Sequence, residues 1–268
     1  MKPIVTLTTD FGMGSHFVGS MKGVILSINP TTIIVDITHE ISPHNIFEAS
    51  YVIEEAAKRF PKPTIHIVVV DPGVGSDRRP IIAVGEDHYY IAPDNGVLSR
   101  VYQNDVFMRV HEVTEEHYLM KTQCKTFHGR DVFAPVGAWM SKLWEAGKFG
   151  AIIEDYKKIS YSKPSIVKDR TVKAEVVFID RFGNIVTNLE RGMYEQARKK
   201  FPGKNFKLKI KNTLIKDVKE HYFQVEKKGD FLALFGSLEL LEISAREASA
   251  ADLIGAESGE VVFMYFGE

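Results

Sequence analysis

Apolar residues follow two regular spacings in the first part of the chain. Runs of β-branched and other apolar residues predict strands at positions 4–9, 32–37 and 64–70. Between them, apolar side chains three and four residues apart predict helices over 15–28 and 42–60, the second capped by Ser42. This alternation of strands and helices is typical of an α/β layer with parallel strand pairs.

The pattern changes near residue 170. Before it, the sequence predicts a hairpin of strands 80–84 and 88–92, a helix over 130–146, and then a Lys-rich stretch without periodicity. After it, one helix is predicted at 191–200, and short apolar runs predict strands at 172–179, 185–187, 206–210, 231–235, 240–243 and 261–266. Such closely spaced strands suggest a small sandwich or barrel. We expect an α/β fold class, with an N-terminal α/β sandwich-like domain on a mostly parallel sheet (1–165) and a smaller β-rich C-terminal domain (171–268).

Composition narrows the classes of function. With 34 Lys+Arg against 35 Asp+Glu, the chain has no basic excess to follow a phosphate backbone, so we expect no nucleic-acid partner. The single cysteine, Cys124, excludes an intramolecular disulfide and fits a reducing compartment. No apolar run approaches the ~18–20 residues of a membrane span, and the first residues lack the apolar core of a signal peptide. We expect a soluble cytoplasmic protein without a membrane partner.

Acidic residues follow or end three predicted strands, at Asp10, Asp36 and Asp71. In parallel sheets, ligands bind at the loops beyond the carboxyl ends of the strands. The Asp10 carboxylate could accept hydrogen bonds from a vicinal diol such as that of ribose. The alternative is that Asp10 caps the helix that follows it.

The loop from Asp71 to Arg79 contains two glycines, which allow a backbone to wrap closely round a ligand. An acid at the end of the most apolar strand needs a partner, and Arg78 or Arg79 is near in sequence. The pair could serve a ligand, or it could be a structural ion pair that holds the loop shut.

His128 stands just before the helix predicted at 130–146, where its ring could approach a ligand and handle protons near neutral pH. The alternative is a histidine that only caps or packs. Cys124 lies four residues earlier, but no motif supports a Cys/His nucleophile, so we expect an inert cysteine. Other oxygen and nitrogen donors match no zinc spacing, so we expect no metal site. These donors are Asp36, His39, His44, His66 and Asp131, with His66 expected in the core.

The loop at 180–188 combines an acid, an aromatic residue, an amide and a glycine between two predicted strands. Asn184 could pair with an adenine edge, and Phe182 could stack on the ring. A plain β-turn explains the same residues. The segment 236–243 carries little signal by itself.

Six segments, taken in order, resemble the S-adenosylmethionine hydroxide adenosyltransferase family, whose relatives are the fluorinating and chlorinating S-adenosylmethionine enzymes. They cover nearly the whole chain: Thr8–Gly12, Val35–His39, Asp71–Gly75, Pro93–Gly96, Thr126–Asp131 and Asp180–Asn184. The resemblance implies an N-terminal α/β domain, a C-terminal β-barrel-like domain and a trimer whose active sites lie between neighbouring subunits. It also implies that S-adenosylmethionine and water react to give adenosine and methionine without a cofactor.

The resemblance assigns roles to individual residues. The catalytic set falls on Asp71, Arg78 and His128. The substrate-binding set is Asp10 for the ribose diol with Phe11 in the same motif, Asp180 for the methionine amino group, Phe182 and Asn184 for adenine, and Ser237, Glu242 and Ala245 from a second segment. Arg246 and Glu247 depart from the family pattern there.

The halogenating relatives carry a Tyr at the position of Asp71, a Thr at that of Val74 and a Ser at that of Gly129. This chain therefore resembles a member that uses water. Two alternatives remain open at this stage: a halogenase, and a non-catalytic protein that binds adenosine or S-adenosylmethionine with Asp71, Arg78 and His128 as structural residues.

Overall fold

The structure, a computed structural model, describes residues 2–121, 125–167, 170–202 and 206–267. These residues form two compact units, Met1–Ile159 and Ser160–Glu268. The mixed α/β architecture confirms the fold class predicted from the sequence. Among the described residues, no helix is long and apolar enough to cross a membrane.

The first unit is built on a seven-stranded sheet in the order β2-β1-β3-β5-β4-β6-β7. Its strands are β1 (Ile4–Thr9), β2 (Ile33–Thr38), β3 (Thr64–Val69), β4 (Pro80–Val84), β5 (His88–Pro93), β6 (Arg109–Glu112) and β7 (Ile152–Ile153). Strands β2, β1, β3 and β5 pair in parallel, and β4 pairs antiparallel with β5 as the predicted hairpin. Every residue of β3 is buried, as its continuous apolar run predicts for a central strand covered on both faces.

Helices cover both faces of this sheet. They are α1 (Phe17–Ile28), α2 (Ile46–Ala57), α3 (Ser99–Asn104) and α4 (Ala134–Leu143), with a π-helical turn at Gly129–Phe133 and 3-10 turns at Glu116–Tyr118 and Ala146–Lys148. Met21 and Ile25 of α1 share a core with Met140 of α4, whereas Ile53 of α2 and Val101 of α3 belong to the core on the other face. Each face of the sheet is therefore covered by helices and has its own hydrophobic core.

The start predicted for the second helix is wrong. The helix begins at Ile46 rather than near Ser42, because the Asn45 side chain caps it by accepting a hydrogen bond from Glu48 N at 3.0 Å. The Glu48 carboxylate in turn accepts a hydrogen bond from Ser42 N at 3.1 Å, so Ser42 is held in the preceding turn. That turn places His44 in the left-handed region, at φ 66°.

The second unit contains a nine-stranded sheet that curls into a half-barrel. Its strands are β8 (Ser165–Val167), β9 (Thr171–Ile179), β10 (Ile185–Glu190), β11 (Phe206–Ile210), β12 (Thr213–Ile215), β13 (Val218–Lys219), β14 (Phe231–Phe235), β15 (Leu240–Ala245) and β16 (Val261–Phe266). Alternate residues of β9 and β16 point into its core, as in Val172, Ala174 and Met264.

This unit has helix α5 (Arg191–Lys200) at the predicted bounds, and a further helix α6 (Ala250–Ile254). The prediction of a single helix is therefore wrong. Five residues are too few to show a helical period, and α6 depends on local capping: Ser249 Oγ accepts a hydrogen bond from Asp252 N at 3.1 Å. A 3-10 turn at Tyr222–Gln224 precedes β14.

Candidate active site

Loops at the carboxyl ends of two adjacent parallel strands carry the candidate residues of the first unit. The loop after β1 begins with Asp10, and Asp71 stands in the loop after β3, next to it in the sheet. The segment that leads into the π-helical turn lies against the first of these loops, since the ring centroids of Phe11 and Phe127 are 5.9 Å apart. His128 is thereby brought to the same edge of the sheet, where ligands of such folds bind.

Arg78, and not Arg79, is the partner of Asp71. Arg78 Nε donates to Asp71 Oδ1 at 3.1 Å and to Oδ2 at 2.9 Å, and Arg78 Nη2 lies 2.5 Å from Oδ2. The two side chains are only 5% and 4% exposed, so the charges are mutually compensated inside the protein. Arg79 points elsewhere and pairs with Asp94 and Asp155.

The Arg78 guanidinium also contacts His128, whose Nδ1 lies 2.6 Å from Nη2. Arginine has no acceptor, so Nδ1 must accept this hydrogen bond and the neutral imidazole carries its proton on Nε2. Burial and the Arg78 charge lower the pKa of His128, which favours this neutral form. The arrangement therefore offers an N–H donor at Nε2, while Asp71 Oδ1 accepts only one hydrogen bond from the described residues and keeps a second acceptor position.

The glycine-containing loop after Asp71 is closely packed. Val74 N and Ser76 N donate to Asp71 O and Gly73 O, which makes consecutive turns. Gly75 has φ 82°, and a Cβ there would lie 3.0 Å from Lys125 O, so only glycine fits without strain. The end of β3 is fixed by Asn95, whose Nδ2 donates to Val70 O at 2.8 Å.

Asp10 does not cap the helix that follows it. Helix α1 begins at Phe17 with His16 at its N-cap, whereas Asp10 Oδ2 accepts a hydrogen bond from His44 N at 2.9 Å. The left-handed conformation of His44 directs this N–H, at a cost of order 1–2 kcal/mol for a residue with a Cβ. Asp10 Oδ1 has no partner among the described residues, so one carboxylate oxygen remains for a ligand.

Phe11 is held by ring packing. Its centroid lies 5.7 Å from that of Phe17, and Phe127 lies edge-on to both rings. Phe11 also approaches Gly129 so closely that a Cβ at Gly129 would lie 3.0 Å from Phe11 Cε2 and 3.2 Å from Met21 Sδ. The described contacts of Phe11 thus join the Asp10 loop to the His128 segment.

In the second unit, Asp180 organises a tight turn. Its Oδ1 accepts hydrogen bonds from Phe182 N at 2.8 Å and Asn184 N at 2.9 Å, and its Oδ2 accepts one from Asn184 Nδ2 at 2.8 Å. Gly183 N closes the turn onto Asp180 O with Gly183 at φ 80°. The β-turn interpretation is therefore correct for the backbone, yet the turn leaves Phe182 76% exposed, which is unusual for an aromatic ring with only a structural role.

An open pocket of about 500 Å³ lies beside this turn, lined by Phe182, Asn184, Tyr222, Ala245 and Ser249 among others. Sequence reasoning missed Tyr222 and Ser249. Tyr222 stands in a 3-10 turn without periodicity, and Ser249 precedes the short helix α6, so no pattern marked either residue.

The remaining residues of the second segment differ in exposure. Glu242 is 8% exposed with its carboxyl group against Gly236, and burial together with the negative charge of Asp180 raises its pKa to about 7. Ser237 is exposed and does not line the pocket. Arg246, where the chain departs from the family pattern, donates to Val225 O at 2.6 Å and to Glu226 O at 2.8 Å. Arg246 thus anchors the chain just after the turn that carries Tyr222.

Among the described residues, no group of three or more His, Cys, Asp and Glu side chains is arranged to hold a metal ion. His66 is buried in the sheet with its Nδ1 2.7 Å from Thr6 Oγ1, and Asp131 pairs with Arg130. Cys124 lies outside the described residues, so its proposed inertness stays a prediction.

Comparison with known proteins finds the same family over both units. Family models described as the N-terminal and C-terminal domains of SAM hydroxide adenosyltransferase match residues 5–150 and 174–263. A curated (R)-S-adenosyl-L-methionine hydrolase of Methanocaldococcus jannaschii is 38% identical over 263 residues, which cover 95% of this chain and 92% of that protein. A fluorinase of Nocardia brasiliensis is 26% identical over 71% of this chain and 72% of its own length.

A solved structure agrees with the fold. An uncharacterized conserved protein from Thermotoga maritima superposes with a TM-score of 0.88 at 33% identity, and the match covers 98% of this chain and 99% of that one. The similarity therefore extends over the whole described architecture, including both sheets.

Proposed function

The chain belongs to the SAM hydroxide adenosyltransferase family, and we propose that it hydrolyses S-adenosyl-L-methionine to adenosine and L-methionine. Curated relatives named (R)-S-adenosyl-L-methionine hydrolase, at 28–38% identity, support this activity. We extend the proposal to the (R) sulfonium epimer as substrate, because these relatives are named for that epimer. The observation that carries the proposal is the Asp71–Arg78–His128 constellation, which offers one free acceptor and one free donor at the ligand edge of the sheet.

The leaving group sets the demands on the site. When the C5′–S bond breaks, sulfur takes the electron pair and departs as the neutral thioether of methionine, so no acid is required. Water must instead be aligned with that bond and lose a proton as the C5′–O bond forms. General-base help is worth about 10²–10⁴-fold, and alignment supplies a further large factor.

We assign Asp71 as the general base that accepts the proton of the attacking water. Its Oδ1 keeps an open acceptor position, and the Arg78 fork fixes its orientation. His128 is already a neutral donor at Nε2 because Nδ1 accepts from Arg78, so Nε2 can hold the water oxygen but cannot take its proton. The proton that Asp71 accepts passes to solvent, and the charges balance because the cationic sulfonium becomes a neutral thioether.

The substrate-binding roles divide between the units. In the first unit, Asp10 Oδ1 would accept from the ribose diol. In the second, the exposed ring of Phe182 and the amide of Asn184 would meet adenine, and Ala245 lines the same pocket. Asp180 and Glu242 supply negative charge for the methionine ammonium group, with Ser237 at the margin.

Halogenation is the alternative chemistry, and the site favours water. Val74 and Gly129 lack the hydroxyl groups that hold halide in the halogenating relatives. A side chain at Gly129 would also lie within 3.0 Å of Phe11, so the loop is packed for glycine. A non-catalytic binding protein needs no open acceptor on Asp71 and no free N–H on His128.

We further propose a homotrimer in which each active site combines the first unit of one subunit with the second unit of its neighbour. The support is that the proposed catalytic residues all belong to the first unit, whereas the proposed adenine-binding residues all belong to the second. The reaction requires neither metal nor redox cofactor, and we place the protein in the cytoplasm because its single cysteine fits a reducing compartment.

The direct test incubates the purified protein with each separated sulfonium epimer, without halide, and follows adenosine by chromatography. We expect adenosine from the (R) epimer and loss of that activity in Asp71→Asn. Tight adenosine binding without turnover of either epimer would establish the binding protein instead. A 5′-halogenated nucleoside formed on addition of chloride or fluoride would establish the halogenase.

A further inference from the structure

A chain of polar contacts runs from the surface at Lys22 and Asp36 to the buried residues His39 and Thr9, ends at the Asp10 loop and has no role in the proposed chemistry. It starts on α1, where Lys22 Nζ donates to Asp36 Oδ2 at 2.6 Å. The other carboxylate oxygen, Asp36 Oδ1, lies 3.0 Å from His39 Nε2, although the ring N–H is not aligned for a full hydrogen bond. His39 Nδ1 lies 2.8 Å from Thr9 Oγ1 at the end of β1.

His39 is held on both sides of its ring. Its side chain is 2% exposed, and its two nitrogens face Asp36 and Thr9. Burial alone would raise the pKa of Asp36, but the interactions with Lys22 and His39 outweigh it and lower that pKa, so this carboxylate stays charged and attracts the His39 N–H. With Nε2–H directed at Asp36, Nδ1 accepts from the Thr9 hydroxyl.

The far end of the chain fixes the backbone that follows Asp10. Thr9 Oγ1 accepts a hydrogen bond from Phe11 N at 3.2 Å. His39 O accepts a second from Gly12 N at 2.7 Å. The segment from Asp10 to Gly12 is therefore attached to His39 through its side chain and through its carbonyl oxygen.

We propose that His39 is a positioning residue, which holds the Asp10 carboxylate where it can accept hydrogen bonds from a ribose diol. The proposal rests on the proposed function, because it needs a ribose-containing substrate. His39 does not touch the substrate: its ring is enclosed, Nδ1 is hydrogen-bonded to Thr9, and Nε2 faces Asp36. Its effect passes through Thr9 and the loop, in the way that outer residues orient the groups that bind a ligand.

The readout compares two nucleosides, because only Asp10 is assigned to the diol. Isothermal titration calorimetry would give the affinities of the wild-type protein for adenosine and for 2′-deoxyadenosine. Because the 2′-hydroxyl would donate a hydrogen bond to a charged carboxylate, we expect wild type to bind adenosine about 10- to 100-fold more tightly than 2′-deoxyadenosine. A merely structural histidine would change stability, but it would not change this preference.

His39→Leu removes both ring nitrogens, and with them the acceptor for the Thr9 hydroxyl and the contact with Asp36. We expect the preference for adenosine to fall by about three- to thirty-fold, with 2′-deoxyadenosine bound as in wild type. In an Asp10→Ala background the same change should have no further effect on the preference. His111→Leu is the matched control, because His111 is also buried, but it lies on the distant strand β6, where its Nδ1 bonds to Gly150 O.

Thr9→Val gives an independent route if His39→Leu does not fold, since it removes only the linking hydroxyl. It should lower the preference in the same direction. Wild type that prefers adenosine, with the preference unchanged in His39→Leu or Thr9→Val, overturns this inference and leaves the proposed function intact. Wild type that binds neither nucleoside overturns the proposed function and this inference with it.

Discussion

The hydrogen bond between Arg78 and His128 predicts that His128 acts as a hydrogen-bond donor and not as a base. If Nδ1 accepts from Arg78 at 2.6 Å, the catalytic contribution of His128 is the N–H at Nε2 and not a basic nitrogen. Two substitutions separate these possibilities. Glutamine can place an amide N–H near the position of Nε2, whereas asparagine can place an amide oxygen near that of Nδ1 and has no donor that reaches the water.

The magnitudes follow from the contacts. Loss of a hydrogen bond to a charged or developing charged group costs about 1.5–3 kcal/mol, or about 10- to 150-fold in rate. We therefore expect kcat of His128→Gln to stay within about tenfold of wild type, and kcat of His128→Asn to fall by the full factor. If His128 were the general base, neither amide could replace it, and both variants would lose about 10²–10⁴-fold.

The assay is adenosine release from saturating (R)-S-adenosylmethionine, followed from pH 5 to 9 with thermal unfolding recorded for each variant. Because burial and the Arg78 charge lower the pKa of His128, its neutral form is present throughout the neutral pH range. The activity of His128→Gln should therefore fall at acidic pH in the same way as that of wild type, so that the acid limb of the pH–activity curve is kept. Equal losses in both variants, together with disappearance of that limb, would refute the assignment of the proton to Asp71.

Three further predictions concern the carboxyl group of Glu242, the sharing of active sites between subunits and the stability of the protein at acidic pH. The pKa of Glu242 lies at about 7, so its negative charge appears as the pH rises through 7; KM for the cationic substrate should fall over pH 6–8 in wild type and stay level in Glu242→Gln. Mixing inactive Asp71→Asn and Asn184→Ala subunits after reversible dissociation should restore about a quarter of wild-type activity if sites are shared between neighbours, and none if each subunit is self-sufficient. His66, with its pKa lowered to about 3 by burial and by His88, binds a proton only when unfolded, so the free energy of unfolding should fall as the pH drops below about 6.5. Between pH 6.5 and 4.5 that loss should be about 2–3 kcal/mol larger in wild type than in His66→Asn, by urea denaturation, and parallel curves would contradict it.

The spacing of apolar residues along the chain predicted those strands and helices whose burial follows from their own sequence. The strand at 4–9, the fully buried strand β3 and helix α5 follow from apolar periodicity, and the acids beyond β1 and β3 are at the ligand edge because parallel strands end there. The sequence could not select Asn45 over Ser42 as the cap of α2, because both residue types cap well and the choice depends on the Glu48 contact with Ser42.

In the candidate site, too, some features could be predicted from the sequence and others depend on tertiary packing. Asp71 and its arginine partner are only seven residues apart in sequence, but three-dimensional packing alone distinguishes Arg78, which also contacts His128, from Arg79, which binds Asp94. Tyr222 joins its pocket from an irregular turn that carries no periodic signal. Contacts that depend on side-chain direction at the end of a loop are set by tertiary packing, which a single sequence does not display.

The proposed function depends on attack of water at C5′ in a site organised by Asp71. A turnover of (R)-S-adenosylmethionine in ¹⁸O-labelled water, with mass spectrometry of the nucleoside product, follows the oxygen of that water. We expect wild type to form adenosine that carries a single ¹⁸O at the 5′-hydroxyl, and Asp71→Asn to form none. Adenosine without the label, or labelled adenosine formed equally fast by Asp71→Asn, would contradict it.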